Sequence, residues 1–207
     1  LGIALEERYQ GIAGPAKMKL AITGCPRNCA EALCKDLGVV AIDGGKWEIY
    51  VGGAAGAHIR KGDLQDARIL ALLRYHFDTC HEVSPPGSAH VLDVSRLADP
   101  SIDFFAAWGG GTLLGVGAVK YSDDAFGEVK SMHTSEAARR RGVGGAILRH
   151  IIETARSRGI KRLSLETGSF GYFEPAVALY KAHGFVECPP FGDYKLDPNS
   201  VFLTREI

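Results

Sequence analysis

The chain has 207 residues, a length that favours one or two domains of ordinary size. Its 24 Lys and Arg residues balance its 24 Asp and Glu residues, which argues against charge-driven binding to nucleic acid or to an anionic membrane. No apolar run approaches the ~20 residues of a membrane-spanning helix, so we expect no membrane segment. The chain starts at Leu1 inside a helix-like pattern, without a signal-peptide layout, and we therefore expect a fragment of a longer protein.

The cysteines indicate the redox compartment. There are five of them, an odd number, and three are bunched near the N-terminus of a chain that is not small. Disulfide frameworks typically belong to small secreted domains with paired cysteines. We therefore expect a reducing, cytoplasmic setting. The cysteines are Cys25, Cys29, Cys34, Cys80 and Cys188.

The first quarter of the chain predicts a small α/β segment. Apolar alternation predicts strands at Met18–Thr23, Val39–Ile42 and Trp47–Val51. Helical patterns cover Leu1–Ile12 and Cys29–Leu37. Short glycine-rich turns separate these elements, as is typical of a compact segment.

Two cysteines in this segment carry a specific resemblance. Cys25 and Cys29 lie in the run GCPRNCAEA, which is followed by GVVAIDGGKWEIYVGG. This pattern resembles the second half of the siroheme and iron–sulfur domain of nitrite and sulfite reductases, above all the nitrite reductase large subunit. The resemblance implies that Cys29 bridges the cluster to siroheme and that Arg27 and Asn28 lie near the siroheme.

The cluster of that family needs a second cysteine pair, C-x5-C, which lies upstream of the point where this sequence begins. A four-iron cluster takes four thiolates, and the motif supplies two. Cys34 falls outside the family's ligand positions. We therefore expect no siroheme or complete cluster in this chain alone, and Cys25 and Cys29 to act as ligands only if other groups complete the cluster.

The pattern changes near residue 57. Ile59–Asp63 predicts a strand and turn, and Asp63 is predicted to cap a helix that runs through Leu64 to Phe77. Residues 78–94 predict a loop. We place a domain boundary between Gly56 and Ala57, which gives a reductase-like segment of residues 1–56 and a second domain of residues 57–207.

A hairpin follows in the second domain. Strands are predicted at Ile102–Trp108 and Leu113–Tyr121, joined by a turn at Gly109–Gly111. Gly115 and Gly117 interrupt the return strand, and glycines in a strand indicate a bulge or the close approach of another backbone.

The strongest functional signal is the stretch from Arg139 to Ala146. It lies between a predicted strand over residues 128–133 and a helix whose apolar stripe includes Val143, Ile147 and Ile151. A strand that turns through glycines into a helix start presents unpaired N–H groups and the positive end of the helix dipole. Three consecutive arginines add positive charge for phosphate. The stretch therefore predicts an anion-binding site.

Two separated motifs resemble one family. The pattern R-x-x-G-x-G, formed by Arg139, Gly142 and Gly144, resembles the acyl-CoA pyrophosphate loop of the GNAT acetyltransferase superfamily. The run from Leu179 to Phe185 resembles a second GNAT signature. The resemblance implies an α/β (α+β) GNAT fold, with a mixed, mostly antiparallel central sheet flanked by helices and closed by an antiparallel hairpin.

The same resemblance implies acetyl-CoA as the co-substrate. In the family the strand before the loop diverges from the next strand, and the pantetheine arm lies in the gap and pairs with its backbone. The predicted cofactor-binding residues are Met132, His133, Thr134, Arg139, Arg140, Arg141, Gly142, Val143, Gly144, Gly145 and Ala146.

Acyl transfer to an amine needs a base for the amine and a proton donor for the thiolate. Glu128 is the predicted base because many GNAT enzymes carry a glutamate on this strand; Glu166 and His133 are alternatives. Glu128 could equally be a surface carboxylate paired with Lys130. Tyr180, at the family's tyrosine position, is the predicted proton donor, the alternative being a buried tyrosine with a satisfied hydroxyl.

The predicted function is transfer of an acetyl group from acetyl-CoA to a primary amine of a small molecule or amino acid, directly within a ternary complex. Two alternatives stay open. One is a redox fragment of a nitrite or sulfite reductase that binds a cluster or siroheme with a partner chain. The other is a CoA-binding regulator without catalysis. The sequence leaves the acceptor and a homodimer undecided.

Overall fold

The computed structural model describes residues 20–23, 37–42, 46–51, 57–88, 90–122 and 125–207. The chain divides into two compact units. One holds the residues up to Ala57 together with Arg140–Gly142, and the other consists of His58–Arg139 and Val143–Ile207. Cys25, Cys29 and Cys34 lie outside the described residues, as do the helix predicted near the N-terminus and, apart from Leu37, the helix predicted over residues 29–37.

The described part of the N-terminal unit is a three-stranded sheet. Strand β1 (Leu20–Thr23) runs parallel to β2 (Leu37–Ile42), and β2 runs antiparallel to β3 (Lys46–Val51). The three strands predicted in this segment are therefore confirmed.

The second unit is built on a seven-stranded sheet with the order β4-β5-β6-β7-β8-β10-β9. All neighbouring pairs are antiparallel except β7 and β8, which are parallel. The predicted mixed, mostly antiparallel sheet is therefore confirmed. Its strands are β4 (His58–Lys61), β5 (Ile102–Gly109), β6 (Thr112–Tyr121), β7 (Phe126–Thr134), β8 (Arg162–Gly168), β9 (Val186–Glu187) and β10 (Ser200–Glu206).

Three α-helices accompany this sheet in the described residues: α1 (Ala67–Val83), α2 (Val143–Ser157) and α3 (Glu174–Ala182). Helix α2 has the predicted apolar stripe, and Gly159, with a φ of 81°, follows its end. Pro175 lies in the first turn of α3, where its missing N–H costs nothing.

Helix α1 differs from the prediction at both ends. The residue that caps it is Asp66, whose carboxylate accepts a hydrogen bond from the N–H of Arg68, and not Asp63. The Asp63 side chain instead accepts from the N–H of Gln65 at 2.9 Å, a local turn that competes with helix formation. The prediction of a loop is also wrong for residues 78–83, because α1 continues to Val83. Only Ser84 then separates the helix from Pro85, and the residue before a proline is disfavoured in the helical conformation.

The two faces of β5 pack against different helices. Phe104, Ala106 and Trp108 belong to a buried cluster that includes Ile69 of α1. The alternate residue Phe105 meets His150 of α2, with ring centroids 4.7 Å apart. Successive side chains of a strand point to opposite faces, so a strand covered on both sides reads as a continuous apolar run. Such a run is what the sequence of β5 shows.

A two-residue turn joins β5 to β6. Gly109 pairs with Thr112, which leaves Gly110 and Gly111 as the turn, with φ of 55° and 82°. Positive φ at both central residues is the type I′ geometry that suits the twist of a hairpin and favours glycine. The predicted glycine turn is confirmed.

The glycines within β6 lie at a bulge. Gly117 stands opposite two residues of β7, Ser131 and Met132, and Ser131 has a φ of 51°. A Cβ atom on Gly117 would lie 2.6 Å from the Met132 sulfur and 2.7 Å from Cγ2 of Ile147. A Cβ atom on Gly115 would lie 2.8 Å from the carbonyl oxygen of His133. The predicted bulge and close backbone approach are both confirmed.

We expect Gly117→Ala to lower the free energy of unfolding by about 1–3 kcal/mol, because the added methyl group overpacks the space between β7 and α2. Gly171→Ala is the matched control, since a Cβ atom there meets nothing within 4 Å. Urea denaturation monitored by circular dichroism measures both variants. An unfolding free energy of Gly117→Ala equal to that of Gly171→Ala would contradict the tight contact at the bulge.

Candidate functional site

The central feature of the site is the separation of β7 from β8. The two strands pair only at Phe126–Glu128 with Arg162–Ser164, while β7 continues to Thr134 and β8 to Gly168. Beyond the last pair, no described strand fills the space between them. The facing amide and carbonyl groups therefore form an open edge within the sheet, to which an extended amide-rich chain can add by hydrogen bonding. The predicted divergence of these strands is present.

The predicted anion-binding loop follows β7. Arg140 and Gly142 have φ of 58° and 80°, and α2 begins at the next residue, Val143. The first turn of α2 contains no acidic residue, so no carboxylate there offsets the positive end of its dipole. Arg139, Arg140 and Arg141 are exposed to solvent. The turn and the charge of an anion site are both present.

The two glycines in the first turn of α2 have a second role that the sequence did not reveal. A Cβ atom on Gly144 would lie 3.3 Å from Leu179 of α3 and 3.4 Å from the hydroxyl of Thr134. A Cβ atom on Gly145 would lie 3.2 Å from the ring of His183. The helix start therefore packs closely against α3 and the end of β7. Val143, Gly145 and Ala146 are buried.

Tyr180, the predicted proton donor, lies on α3 and is 6% exposed. Its ring meets Phe185 edge to face, with centroids 5.9 Å apart. No described residue hydrogen-bonds to its hydroxyl. Burial, and to a lesser degree the nearby Glu166 carboxylate, raise the pKa of Tyr180, so it is protonated at neutral pH.

Glu128, the predicted base, is part of a hydrogen-bonded group. Its Oε1 accepts a hydrogen bond from Lys130 Nζ at 3.1 Å and another from the Tyr194 hydroxyl at 2.7 Å. Lys130 Nζ also donates to the Tyr194 oxygen at 2.6 Å and to the carbonyl of His90 at 3.3 Å. The pairing with Lys130 that the sequence left open is therefore present.

Glu166, the alternative base, lies on β8 two residues beyond the last pair with β7. Its Oε1 accepts a hydrogen bond from the Ser200 hydroxyl at 2.6 Å. Burial raises the pKa of the Glu166 carboxyl, an effect that the Ser200 hydrogen bond opposes. Its charge contributes to raised pKa values of Cys80, Tyr180 and Tyr194, which lie on α1, on α3 and in the segment before β10. Glu166 therefore lies near residues of three separate parts of the chain: α1, α3 and the segment before β10.

His133, the remaining alternative, is 9% exposed on β7 and its Nε2 has no hydrogen-bond partner among the described residues. Its ring lies 4.8 Å from that of His76 and 5.6 Å from that of Tyr75. Burial, with a smaller contribution from Arg139, lowers the pKa of His133 to about 4. A neutral imidazole with so low a pKa is a poor base for an ammonium group.

Cys80 lies next to this pair of histidines and is not activated. Its sulfur is 3.5 Å from Nδ1 of His76. Burial raises the pKa of the Cys80 thiol to about 11 and lowers that of His76 to about 3. The pair therefore remains a thiol and a neutral imidazole at neutral pH, and lacks the thiolate that nucleophilic catalysis needs.

Several residues near the predicted base were not foreseen from the sequence. Tyr194 and Ser200 reach Glu128 and Glu166 from segments 66 and 34 residues away along the chain. Tyr75 and His76 come from α1, where nothing in the local pattern separates them from ordinary helix residues. Only the fold brings these side chains together.

The described residues contain no group of three or more His, Cys, Asp and Glu side chains arranged to hold a metal ion. Within the same residues, no helix combines the length and apolar character required to cross a membrane.

Comparison with known proteins divides the chain into two matches. Residues 69–185 match the model of the acetyltransferase (GNAT) family, and residues 2–72 match that of the nitrite and sulphite reductase 4Fe-4S domain. The two matches overlap over a few residues at the start of α1. The predicted boundary between Gly56 and Ala57 therefore stays a prediction.

Individual relatives support both matches. The chain is 47% identical over 150 residues to the uncharacterized N-acetyltransferase YsnE of Bacillus subtilis, covering 72% of this chain and 99% of that protein. It is 62% identical over 64 residues to the nitrite reductase [NAD(P)H] of the same organism, covering 31% of this chain. The matched segment spans only 8% of that reductase.

Solved structures share the fold of the second domain. An acetyltransferase-type structure from Klebsiella pneumoniae, assigned as an acyl-CoA N-acyltransferase, is 29% identical with a TM-score of 0.63 and covers 72% of this chain and 97% of its own. A GNAT family acetyltransferase from Elizabethkingia anophelis, solved with acetyl-CoA bound, is 18% identical with a TM-score of 0.56 and covers 73% of this chain and 99% of its own.

The fold, the family match over more than half of the chain and the near full-length N-acetyltransferase relative agree. The N-terminal residues carry, in addition, a piece related to nitrite reductase. This chain belongs to the GNAT acetyltransferase family and is an N-acetyltransferase.

Proposed function

We propose that the enzyme transfers an acetyl group from acetyl-CoA to a primary amine of a small molecule or amino acid, directly within a ternary complex. The observation that carries this proposal is the open space between β7 and β8, which leads to the glycine turn before α2. An extended amide-containing arm fits the space, and an anion fits the helix start. The acetyl-CoA bound in the similarly folded Elizabethkingia protein supports the choice of donor.

The loop holds the pyrophosphate in this proposal. Backbone N–H groups from Gly142 to Ala146 bind its oxygens, because the first N–H groups of a helix have no partner within it. The backbone of Met132–Thr134 pairs with the pantetheine arm. Arg140 and Arg141 supply positive charge, which strengthens hydrogen bonds to phosphate.

The reaction is a displacement at the thioester. The lone pair of the neutral amine attacks the carbonyl carbon, and collapse of the tetrahedral intermediate breaks the carbon–sulfur bond. Tyr180 donates its phenolic proton to the leaving thiolate. The proton lost by the amine passes to a carboxylate, directly or through water.

The structure offers two carboxylates for that last step. Glu128, the sequence-based proposal, already stabilises the charge of Lys130 and accepts the Tyr194 hydroxyl. Glu166 accepts one hydroxyl, from Ser200, and burial raises its pKa. A base is most effective when its pKa lies near the working pH, so these contacts favour Glu166 as the proton acceptor and Glu128 as the group that orders Lys130 and Tyr194.

The residues used in the proposed reaction all lie beyond residue 57. We propose residues 1–56 as a separate reductase-related domain and residues 57–207 as the acetyltransferase domain. The identity of the segment to nitrite reductase keeps a redox role as a second candidate. Cys25 and Cys29, which would hold a cluster completed by other ligands, lie outside the described residues. Visible absorbance after anaerobic reconstitution with iron and sulfide tests that role.

We expect Gly142→Glu to weaken acetyl-CoA binding at least 10-fold, because it places a carboxylate beside the pyrophosphate. Isothermal titration calorimetry measures the change. Gly142 has a φ of 80°, and asparagine tolerates that conformation better than other non-glycine residues. Gly142→Asn is therefore the matched control and should bind acetyl-CoA with a dissociation constant close to that of the wild type. Equal affinity of all three proteins would contradict the proposed pyrophosphate site.

We expect Tyr180→Phe to lower kcat by roughly 10²-fold, the usual order for loss of an acid catalyst, with the dissociation constant for acetyl-CoA unchanged. The rate is measured as the release of CoA in the presence of an accepted amine, and the free thiol is detected with a thiol reagent. Tyr121→Phe is the control, because it removes a tyrosine hydroxyl whose partner is Asp103 and not a residue of the proposed site. A kcat of Tyr180→Phe within twofold of the control would exclude Tyr180 as the proton donor.

We expect Glu166→Gln to lower kcat/KM by roughly 10²-fold or more and to abolish the acidic limb of its pH profile. In the wild type that limb rises with pH, because deprotonation of Glu166 creates the base. The raised pKa of the carboxyl places the limb above the range of an exposed glutamate. Glu128→Gln should keep the limb. If Glu128→Gln removes the limb and Glu166→Gln keeps it, the base is Glu128.

A further inference from the structure

We propose that the acceptor amine carries a carboxylate, and that this carboxylate binds in a slot formed by Arg139, His133, Tyr172 and Tyr75. The acceptor is then an amino acid or another amino-carboxylic acid. This inference rests on the proposed function, since it concerns the acceptor of the same reaction.

The first observation is a buried nitrogen without a partner. His133 is more than nine-tenths buried, and its Nε2 makes no hydrogen bond to the described residues. Native proteins rarely leave a buried polar atom unsatisfied, because desolvation without a hydrogen bond costs about 1–3 kcal/mol. A neutral imidazole can donate a proton from this nitrogen to an oxygen acceptor on a ligand.

The second observation is a cation without a carboxylate partner. Arg139 is exposed, and no described Asp or Glu lies within ion-pair distance of its guanidinium. Its charge is close enough to His133 to add to the lowering of that residue's pKa. The same charge opposes the rise in the pKa of Tyr172 that burial causes. Arg139 therefore lies beside both side chains, and a guanidinium is well suited to bind a carboxylate.

Two exposed tyrosines flank these polar groups. Tyr75 of α1 is 49% exposed and Tyr172, ahead of α3, is 41% exposed. Tyr75 packs edge to face on His133, and the pKa of Tyr172 responds to Tyr75. Exposed large aromatic side chains grouped in this way are typical of ligand-binding surfaces.

An open groove shares Tyr75 with this slot. It has a volume of about 490 Å³ and is lined by Tyr75, Arg68, Leu72 and the start of β6. Arg68 in the groove is not a second carboxylate site, because Asp66 binds it at 2.6 Å and its guanidinium stacks 4.3 Å from the Trp108 ring centroid. The groove can therefore hold an uncharged side chain of the acceptor.

A group of opposite charge lies near the same residues. The Glu166 carboxylate contributes to the raised pKa of Cys80, and Cys80 contributes to that of Tyr172, so Cys80 lies near both the carboxylate and the slot. The ammonium group of an amino acid would face Glu166 while its carboxylate faces Arg139. Lys130 also lies near Glu166 and lowers the pKa of its carboxyl, but the charge of Lys130 is paired with that of Glu128.

The cofactor is the rival ligand for Arg139, since a phosphate oxygen could take the place of the carboxylate. The test separates the two. Calorimetry gives the dissociation constant for acetyl-CoA of the wild type, Arg139→Gln and Arg74→Gln, the last being an exposed arginine on α1. CoA release is then measured with the twenty amino acids and with their carboxamides, which keep the amine and side chain but lose the charge.

We expect the free amino acids to be the better acceptors, with kcat/KM about 10- to 100-fold above the matched carboxamides, the range for a charge-assisted hydrogen bond. A carboxamide lowers the basicity of the neighbouring amine and leaves more of it neutral. The preference therefore cannot arise from amine ionisation. In Arg139→Gln, a higher KM for the free amino acids should remove the preference, while the dissociation constant for acetyl-CoA stays within twofold of the wild type. Arg74→Gln should keep both the preference and the dissociation constant of the wild type.

Three results would overturn the inference: carboxamides that react as well as the acids, an Arg139→Gln variant that keeps the preference but loses acetyl-CoA affinity, or acetyl-CoA binding without acetylation of any amino acid. Failure of the wild type to bind acetyl-CoA would overturn the proposed function instead, so the two failures are distinct.

Discussion

The parting of two parallel strands is the constraint on which the rest of the site depends. β7 and β8 share a ladder over Phe126–Glu128 and then separate, although both continue for several residues. Backbone groups in the middle of a sheet must otherwise be paired, and leaving them open is costly unless water or a ligand satisfies them. The bulge at Ser131, which Gly117 makes sterically possible, bends β7 at this place. The protein thereby keeps a strand-shaped opening inside its own sheet.

The side chains around this opening show how buried charge is tolerated. Lys130 is surrounded by a carboxylate, a phenol and a carbonyl, so its ammonium has lost water and gained three acceptors. Glu166 accepts a hydrogen bond from one hydroxyl. The effect of burial is larger than the effect of that hydrogen bond, so the pKa of the Glu166 carboxyl is raised. Two glutamates on adjacent strands thus have different chemistry. The difference comes from their partners and not from their distance along the chain.

The sequence predicted the features that local conformation controls. The turn at Gly110 and Gly111, the bulge at Gly117 and the glycine turn before Val143 each follow from a backbone conformation that only certain residues adopt well. The prediction of the residue that caps α1 was wrong, because both Asp63 and Asp66 can cap a helix and only the packing of the helix decides between them. Tyr194 and Ser200 could not be foreseen, because nothing in their local sequence indicates which strand they will meet.

The short ladder between β7 and β8 also has a consequence for cooperativity. The strands on either side of it are held by longer ladders, β5 to β7 in one group and β8 with β10 in the other. The sheet is therefore two well-bonded halves joined by a seam of three residue pairs. Local opening follows the boundaries between such units. A ligand that hydrogen-bonds across the seam would join the halves, so occupancy of the cleft would change the unit in which this domain unfolds.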